Sequence, residues 1–109
     1  MVAAVDFDSL PVKLTRAAIE DFCRRWMISR LELFGSALRQ DFTPDSDVDF
    51  LYTFASEARW GWEIVTIADE LAQIVGRPVD LVSRRAIERS RNRLRRESIL
   101  GSAKVLYAA

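Results

Sequence analysis

The sequence predicts an α+β fold, a small mixed β-sheet of about three strands with helices packed against it. Three observations predict it. Short apolar runs at 28–34, 48–54 and 79–83 read as strands, segments with apolar residues at helical spacing separate them, and Gly35, Gly76 and Pro78 stand at the junctions. With 109 residues, half of them hydrophobic and 29% charged, the composition is ordinary for a globular protein, with enough chain for one core but not two. A single domain over 1–109 is the expectation.

Taken in order, Ser9 is expected to cap a helix beginning near Pro11, a residue suited to a first turn. Leu14, Ala17, Ala18, Phe22 and Trp26 then follow helical spacing. Ile28 to Phe34 reads as a strand ended by Gly35. Ser36 to Gln40 is expected to be short and helical, with Thr43-Pro44-Asp45 a turn. Val48 to Phe54 is a buried strand. Trp60, Ile64, Ile67, Ala68, Leu71 and Val75 form one face of a second long helix, which Gly76 ends. Pro78 opens a third strand, Val79 to Ser83. A last helix is expected from about Asn92 to Tyr107, with Leu94, Ile99, Ala103 and Leu106 inward.

Composition removes several chemistries. With no histidine, Ser-His-Asp and Cys-His catalysis and His-ligated zinc are excluded, leaving carboxylates, hydroxyls, arginines and backbone amides. The lone Cys23 forms no internal disulfide and reads as a small buried hydrophobe. No apolar run approaches a membrane span, and MVAAVDFDSL lacks the basic-then-apolar pattern of a signal peptide, so a cytoplasmic location is the default expectation. The net charge of zero hides an asymmetry: residues 1–58 carry 6 basic and 10 acidic side chains (−4), and residues 59–109 carry 10 and 6 (+4). Arg84 to Arg96 contains seven arginines and one acid, Glu88. That segment suits a polyanion or an acidic protein partner, or serves as a solvated face balancing the acidic half; composition weighs these evenly.

The chemistry concentrates in LFGSALRQDFTPDSDVDFLY, Leu33 to Tyr52. In a strand, residues i and i+2 share a face, so Asp47 and Asp49 are expected side by side. Two like charges held that close repel unless one is protonated or a cation neutralises both. A hard divalent ion such as Mg²⁺ prefers carboxylate oxygens. Asp80, an isolated acid in PVDLVS, supplies a third carboxylate from the next strand, and three such groups on neighbouring strands can hold two metals for in-line displacement at phosphorus. Gly35 lets the chain turn sharply and lets a phosphate approach the backbone. The turn after it opens toward helix, whose unpaired N–H groups favour an anion, Ser36 adds a hydroxyl, and Arg39 can reach the same side.

Together these residues, GSALRQDFTPDSDVDFLY, resemble the motif of the DNA polymerase β-type nucleotidyltransferase superfamily: Gly-Ser, a spacer, then Asp-x-Asp. Ser46 before Asp47, the chain length and the ending RRESILGSAKVLYAA resemble more particularly the minimal nucleotidyltransferases, the MntA-like antitoxin partners of HEPN toxins. The resemblance runs from about Ile28 to Tyr107. It implies that Gly35 and Ser36 hold the β- and γ-phosphates, that Asp47 and Asp49 bind both metals, and that Asp80 binds the catalytic metal and helps deprotonate the acceptor hydroxyl. Arg39 would contact the phosphates. Gln40, where many members have Gly, and Phe50, where an aliphatic is usual, depart from the pattern without removing a catalytic group.

Plainer readings stand beside these. An isolated Asp80 would ordinarily be a satisfied surface residue. An EF-hand loop from Asp45 fails, because Phe50 stands where Gly is needed and Ser56 where Glu is needed. Asp41 and Asp45 suit turns. Ser46 can bond locally, with phosphate contact the lesser reading. Trp60 suits packing, while Trp62 falls off the apolar face and suits a ligand or partner surface. Tyr107 suits packing.

The resemblance implies a Mg²⁺-dependent transferase that moves a nucleoside monophosphate, AMP by preference, from an NTP such as ATP to a hydroxyl. Antibiotic-modifying relatives wall in the acceptor with an additional helical domain, so here the acceptor is expected on another molecule. A tyrosine of a HEPN toxin is the implied candidate, which would make the protein a catalytic, type VII-like antitoxin. The alternative is an interaction module that neutralises its partner by binding alone. Nucleic-acid binding through the arginines is disfavoured because no base-reading motif accompanies them. A homo-oligomer is left open.

Overall fold

The three expected strands form, and a fourth joins them. The computed structural model describes residues 6–10, 12–38, 43 and 45–109, with the backbone alone at Ser36. Asp6 caps a 3-10 turn at Phe7–Ser9, and helix α1 (Arg16–Arg25) begins only after Thr15, whose hydroxyl accepts the Ala18 N–H. The helix therefore starts later than the expected Ser9 cap; Ser9 lies in the 3-10 turn, where its hydroxyl donates to the Asp6 carbonyl at 2.7 Å. Leu14 is buried, but in the extended segment before α1. The inward face of α1 is Ile19, Phe22 and Cys23, whereas Ala17 is exposed. Met27 (φ 56°) makes the left-handed step from α1 into strand β1 (Ile28–Phe34).

Gly35–Leu38 follows as a 3-10 turn, then strand β2 (Val48–Phe54), helix α2 (Glu63–Val75) and strand β3 (Val79–Ser83). Gly76 ends α2 with φ 83°, donating its N–H to the Ala72 carbonyl, as its place after the apolar face predicts. Helix α2 starts at Glu63 rather than Trp60, because Trp60 leaves the helix to donate its Nε1–H to the Trp26 carbonyl at 2.6 Å and pack edge-on to the Trp26 ring.

The last quarter of the chain departs from expectation. Arg84–Glu88 forms a short helix, α3, capped by Ser83, and helix α4 covers only Arg93–Ser102. Residues Lys104–Ala108 then form strand β4 rather than the end of a helix. KVLYA is β-branched and aromatic, and the edge of β1 offers it a ladder. Leu106 is buried as expected, but from a strand; Leu94 is 81% exposed, contrary to the inward position expected of it.

The sheet order is β3-β2-β1-β4, with β1 antiparallel to both neighbours and β2 parallel to β3 across the α2 crossover. Alternation gives two covered faces. Leu31, Leu33, Val48 and Phe50 pack with Ile19 and Phe22 of α1, Ile67 and Leu71 of α2, and Leu106. Phe34 and Leu51 point the other way, toward Ile87 of α3, with Val82, Ile99, Leu100 and Ala103 against them. Glu32, by alternation on this second face, is 2% exposed. Among the described residues no helix is long and apolar enough to cross a membrane.

Candidate active site

The end of β1 and the starts of β2 and β3 meet at one edge of the second face. Register places Phe34 beside Asp49 and Asp49 beside Asp80, so two carboxylates stand on adjacent strands facing the same way. The reason β1 ends there is steric. Gly35 has φ 79°, and a Cβ at that position would lie 2.1 Å from Asp49 Oδ2. Only glycine lets the chain turn while the Asp49 carboxylate lies against its backbone.

Asp49 and Asp80 line a cleft of about 480 Å³ with Phe34, Gly35, Leu38 and Val82 on the sheet side, and Arg95, Ser98, Ile99 and Ser102 of α4 on the other. The sequence reading therefore finds Asp49, Asp80 and Gly35 brought together. Asp47 lies just before β2 rather than within it, is exposed, and does not line the cleft. Its loop is held by the Val48 N–H to the Pro78 carbonyl at 3.0 Å and by a β-turn bond from the Ser46 N–H to the Thr43 carbonyl at 3.0 Å. The Ser46 hydroxyl accepts the Thr43 N–H at 3.0 Å, the local role foreseen for it. Arg39 and Gln40 lie outside the described residues. Ser36 is the second residue of the four-residue 3-10 turn Gly35–Leu38, not the opening of a full helix.

Residues the sequence did not single out complete the arrangement. Arg77 Nη1 donates to the carbonyls of Thr43 and Ser46 at 3.2 and 3.4 Å, pinning the loop that carries Asp47. Arg95, Ser98 and Ser102 reach the cleft because α4 folds back over the sheet. Membership of an arginine-rich run pointed to Arg95 only as one of seven.

Among the described residues no three acidic, cysteine or histidine side chains converge as a ready-made metal cage. The donors at the cleft are carboxylate oxygens on adjacent strands, and Mg²⁺ at phosphoryl-transfer sites is commonly held by one or two carboxylates together with substrate phosphates and water. The residues present fit such an ion. Elsewhere, Glu70 accepts from Arg25 and, at 3.1 Å, from Trp26 Nε1, and the Arg25 bond holds its carboxyl below the usual carboxylate range. Burial pushes the Cys23 thiol up to about 12, in keeping with a core residue.

Comparison with known proteins agrees with this geometry. Residues 16–106 match the nucleotidyltransferase domain family. A solved structure described as a candidate minimal nucleotidyltransferase is 33% identical, with 81% of this chain and 85% of that one covered and a TM-score of 0.62. A toxin–antitoxin complex with AMP-PNP is similar at 24% identity, 88% and 75% coverage and TM-score 0.58. So is a tri-AMPylated HEPN toxin of Shewanella oneidensis in complex with its MNT antitoxin, at 21% identity, 86% and 70% coverage and TM-score 0.56. No functionally curated protein matches by sequence. The match over residues 16–106, more than four-fifths of the chain, shows that it belongs to the nucleotidyltransferase domain family.

Proposed function

We propose that this chain is a Mg²⁺-dependent nucleotidyltransferase that moves AMP from ATP to a hydroxyl on a partner macromolecule, a tyrosine of a HEPN-domain toxin, and so acts as an antitoxin by catalysis. The observation that carries the reading is the pairing of Asp49 with Asp80 in register, against the Gly35 turn, on the wall of one cleft. Family membership supports nucleotidyl transfer. The AMP-PNP complex and the AMPylated toxin among the structural neighbours support the choice of adenine nucleotide and partner.

On this reading the acceptor oxygen attacks the α-phosphorus, a new P–O bond forms, and the bond to the β-phosphate breaks to release pyrophosphate. Asp47, Asp49 and Asp80 would hold Mg²⁺, which when bound supplies charge neutralisation at the phosphates and lowers the cost of ionising the attacking hydroxyl. Asp80 accepts the hydroxyl proton. Gly35 and Ser36 offer backbone and hydroxyl donors to the β- and γ-phosphates, with Arg39 and Ser46 as further phosphate contacts. Each carboxylate works by being oriented before substrate arrives, which is how such sites lower a barrier.

The test is transfer of label from each α-³²P-labelled NTP, with Mg²⁺ and host lysate, by wild type and by the Asp47→Ala/Asp49→Ala double variant. Label from ATP on one protein band, present with wild type only, is expected. Toxin neutralisation that survives the double substitution without any label would sink catalysis and leave an interaction module.

A further inference from the structure

The arginine-rich stretch from Arg84 to Arg96 divides sharply once its partners are known. Arg84 donates to both Glu32 oxygens and to Glu88 Oε2. Arg93 pairs with Glu97 at 3.0 Å, and Arg96 Nη1 donates to the Ser90 carbonyl at 2.5 Å. Three of the seven are thereby engaged within the fold. Arg85 lines a separate pocket of about 250 Å³ with Tyr52, Phe54 and Ser83, and neither Arg89 nor Arg91 lines the cleft. Arg95 is the one arginine among the described residues that lines the cleft of Asp49 and Asp80.

Its setting is specific. Arg95, Ser98, Ile99 and Ser102 recur at three- and four-residue steps, one stripe of α4 presented to the cleft. The stripe sets a guanidinium and hydroxyls across from two carboxylates. A nucleoside triphosphate brought beside those carboxylates is a polyanion, and divalent cations shared with two or three aspartates leave the assembly still negative. A guanidinium on the facing wall offsets that excess and offers planar paired donors to phosphate oxygens.

We propose that Arg95 binds the phosphate chain of the nucleoside triphosphate from the α4 wall, so that the nucleotide is gripped between α4 and the edge of the sheet. This rests on the nucleotidyltransferase reading of the cleft and adds to it a residue outside the Gly-Ser and Asp-x-Asp segment. It also explains the otherwise unspecific basic run: most of its charges brace the fold or face solvent, and one serves the site.

The experiment is equilibrium binding of MgATP, magnesium tripolyphosphate and adenosine to wild type and to Arg95→Ala, Arg95→Lys and Arg91→Ala. Arg95 is exposed on a helix, so its replacements are expected to fold. Losing a charge-assisted contact should weaken both phosphate ligands about tenfold or more in Arg95→Ala. Arg95→Lys should recover part of the loss, with adenosine binding unchanged and Arg91→Ala like wild type. Equal losses in Arg91→Ala and Arg95→Ala would reduce the effect to general electrostatics and overturn the proposal. So would a loss confined to adenosine, or none. If wild type bound neither phosphate ligand, the nucleotidyltransferase reading itself would fail first.

Discussion

Glu32 and Asp49 lie on neighbouring strands of one sheet face, two residues apart in register, and the protein treats their charges in opposite ways. Glu32, opposite Leu51, is 2% exposed and closed in by Arg84 at 2.6 and 2.8 Å, with Arg30 Nε 3.1 Å away. Its counterions are part of the chain. Asp49, opposite Phe34, faces a cleft with a second carboxylate, Asp80, in register beside it. Neighbouring strands lie about 4.8 Å apart, so this pair gathers two carboxylates side by side at the cleft. A buried ion pair is a means of holding elements together; gathered like charge at a cleft is a means of attracting something from outside. On the proposed reading of the cleft, the difference separates a structural carboxylate from a functional one.

The largest expected effect breaks the open side of the comparison. Asp49→Asn should lower nucleotidyl transfer by more than about 10²-fold, the scale on which even outer partners of a metal site act. Its thermal midpoint should stay level or rise, because the change relieves repulsion between carboxylates in register. A midpoint that falls steeply while transfer persists would assign Asp49 a structural role and erase the contrast with Glu32.

The closed side should respond in the reverse sense. Removing one partner of a buried ion pair costs roughly 3–5 kcal/mol when the survivor stays buried. Arg84 is 20% exposed and keeps Glu88, so its guanidinium can hydrate in part. Glu32→Gln should therefore destabilise by about 2–3 kcal/mol in chemical denaturation, below that range, with phosphate-ligand affinity of the folded protein retained. Unchanged stability would mean that the pair contributes orientation rather than energy.

How much of this was legible in the sequence follows from what each residue's neighbours had to be. The bounds of β1, β2 and β3 matched their apolar runs, and for β1 and β2, the central strands, burial leaves little choice of partner or face. The juxtaposition of Gly35 and Asp49 was legible for the same reason: a glycine ending one strand and an acid entering the next suit one edge. Glu32 was not legible, since its partner Arg84 lies 52 residues away and nothing local marks the pair. Nor was the end of the chain. Helix α4 buries no residue completely, so its apolar positions carry little pattern, and β4 depends on an open edge of β1 that only the assembled sheet supplies. Arg95 was visible only as one cation in a run, because its role comes from where α4 is laid.

Glu70 offers a third case between the two, and the smallest effect. It joins α2 to Arg25 at the end of α1 and to the Trp26 indole, with both charged side chains partly in water. Its carboxyl is held below the usual range first by the Arg25 hydrogen bond, against a smaller opposing contribution from desolvation. A group whose folded pKa is depressed adds stability above its unfolded pKa and loses it as pH falls through the folded value. Glu70→Gln should thus lower the thermal midpoint slightly at neutral pH, and the two proteins should converge as acid protonates Glu70 below its unfolded range. High salt should narrow the neutral-pH gap too, because an exposed pair is screened. If the gap instead persisted unchanged into acid, Glu70 would be acting through the neutral hydrogen bond to Trp26, and charge at this site would matter no more than shape.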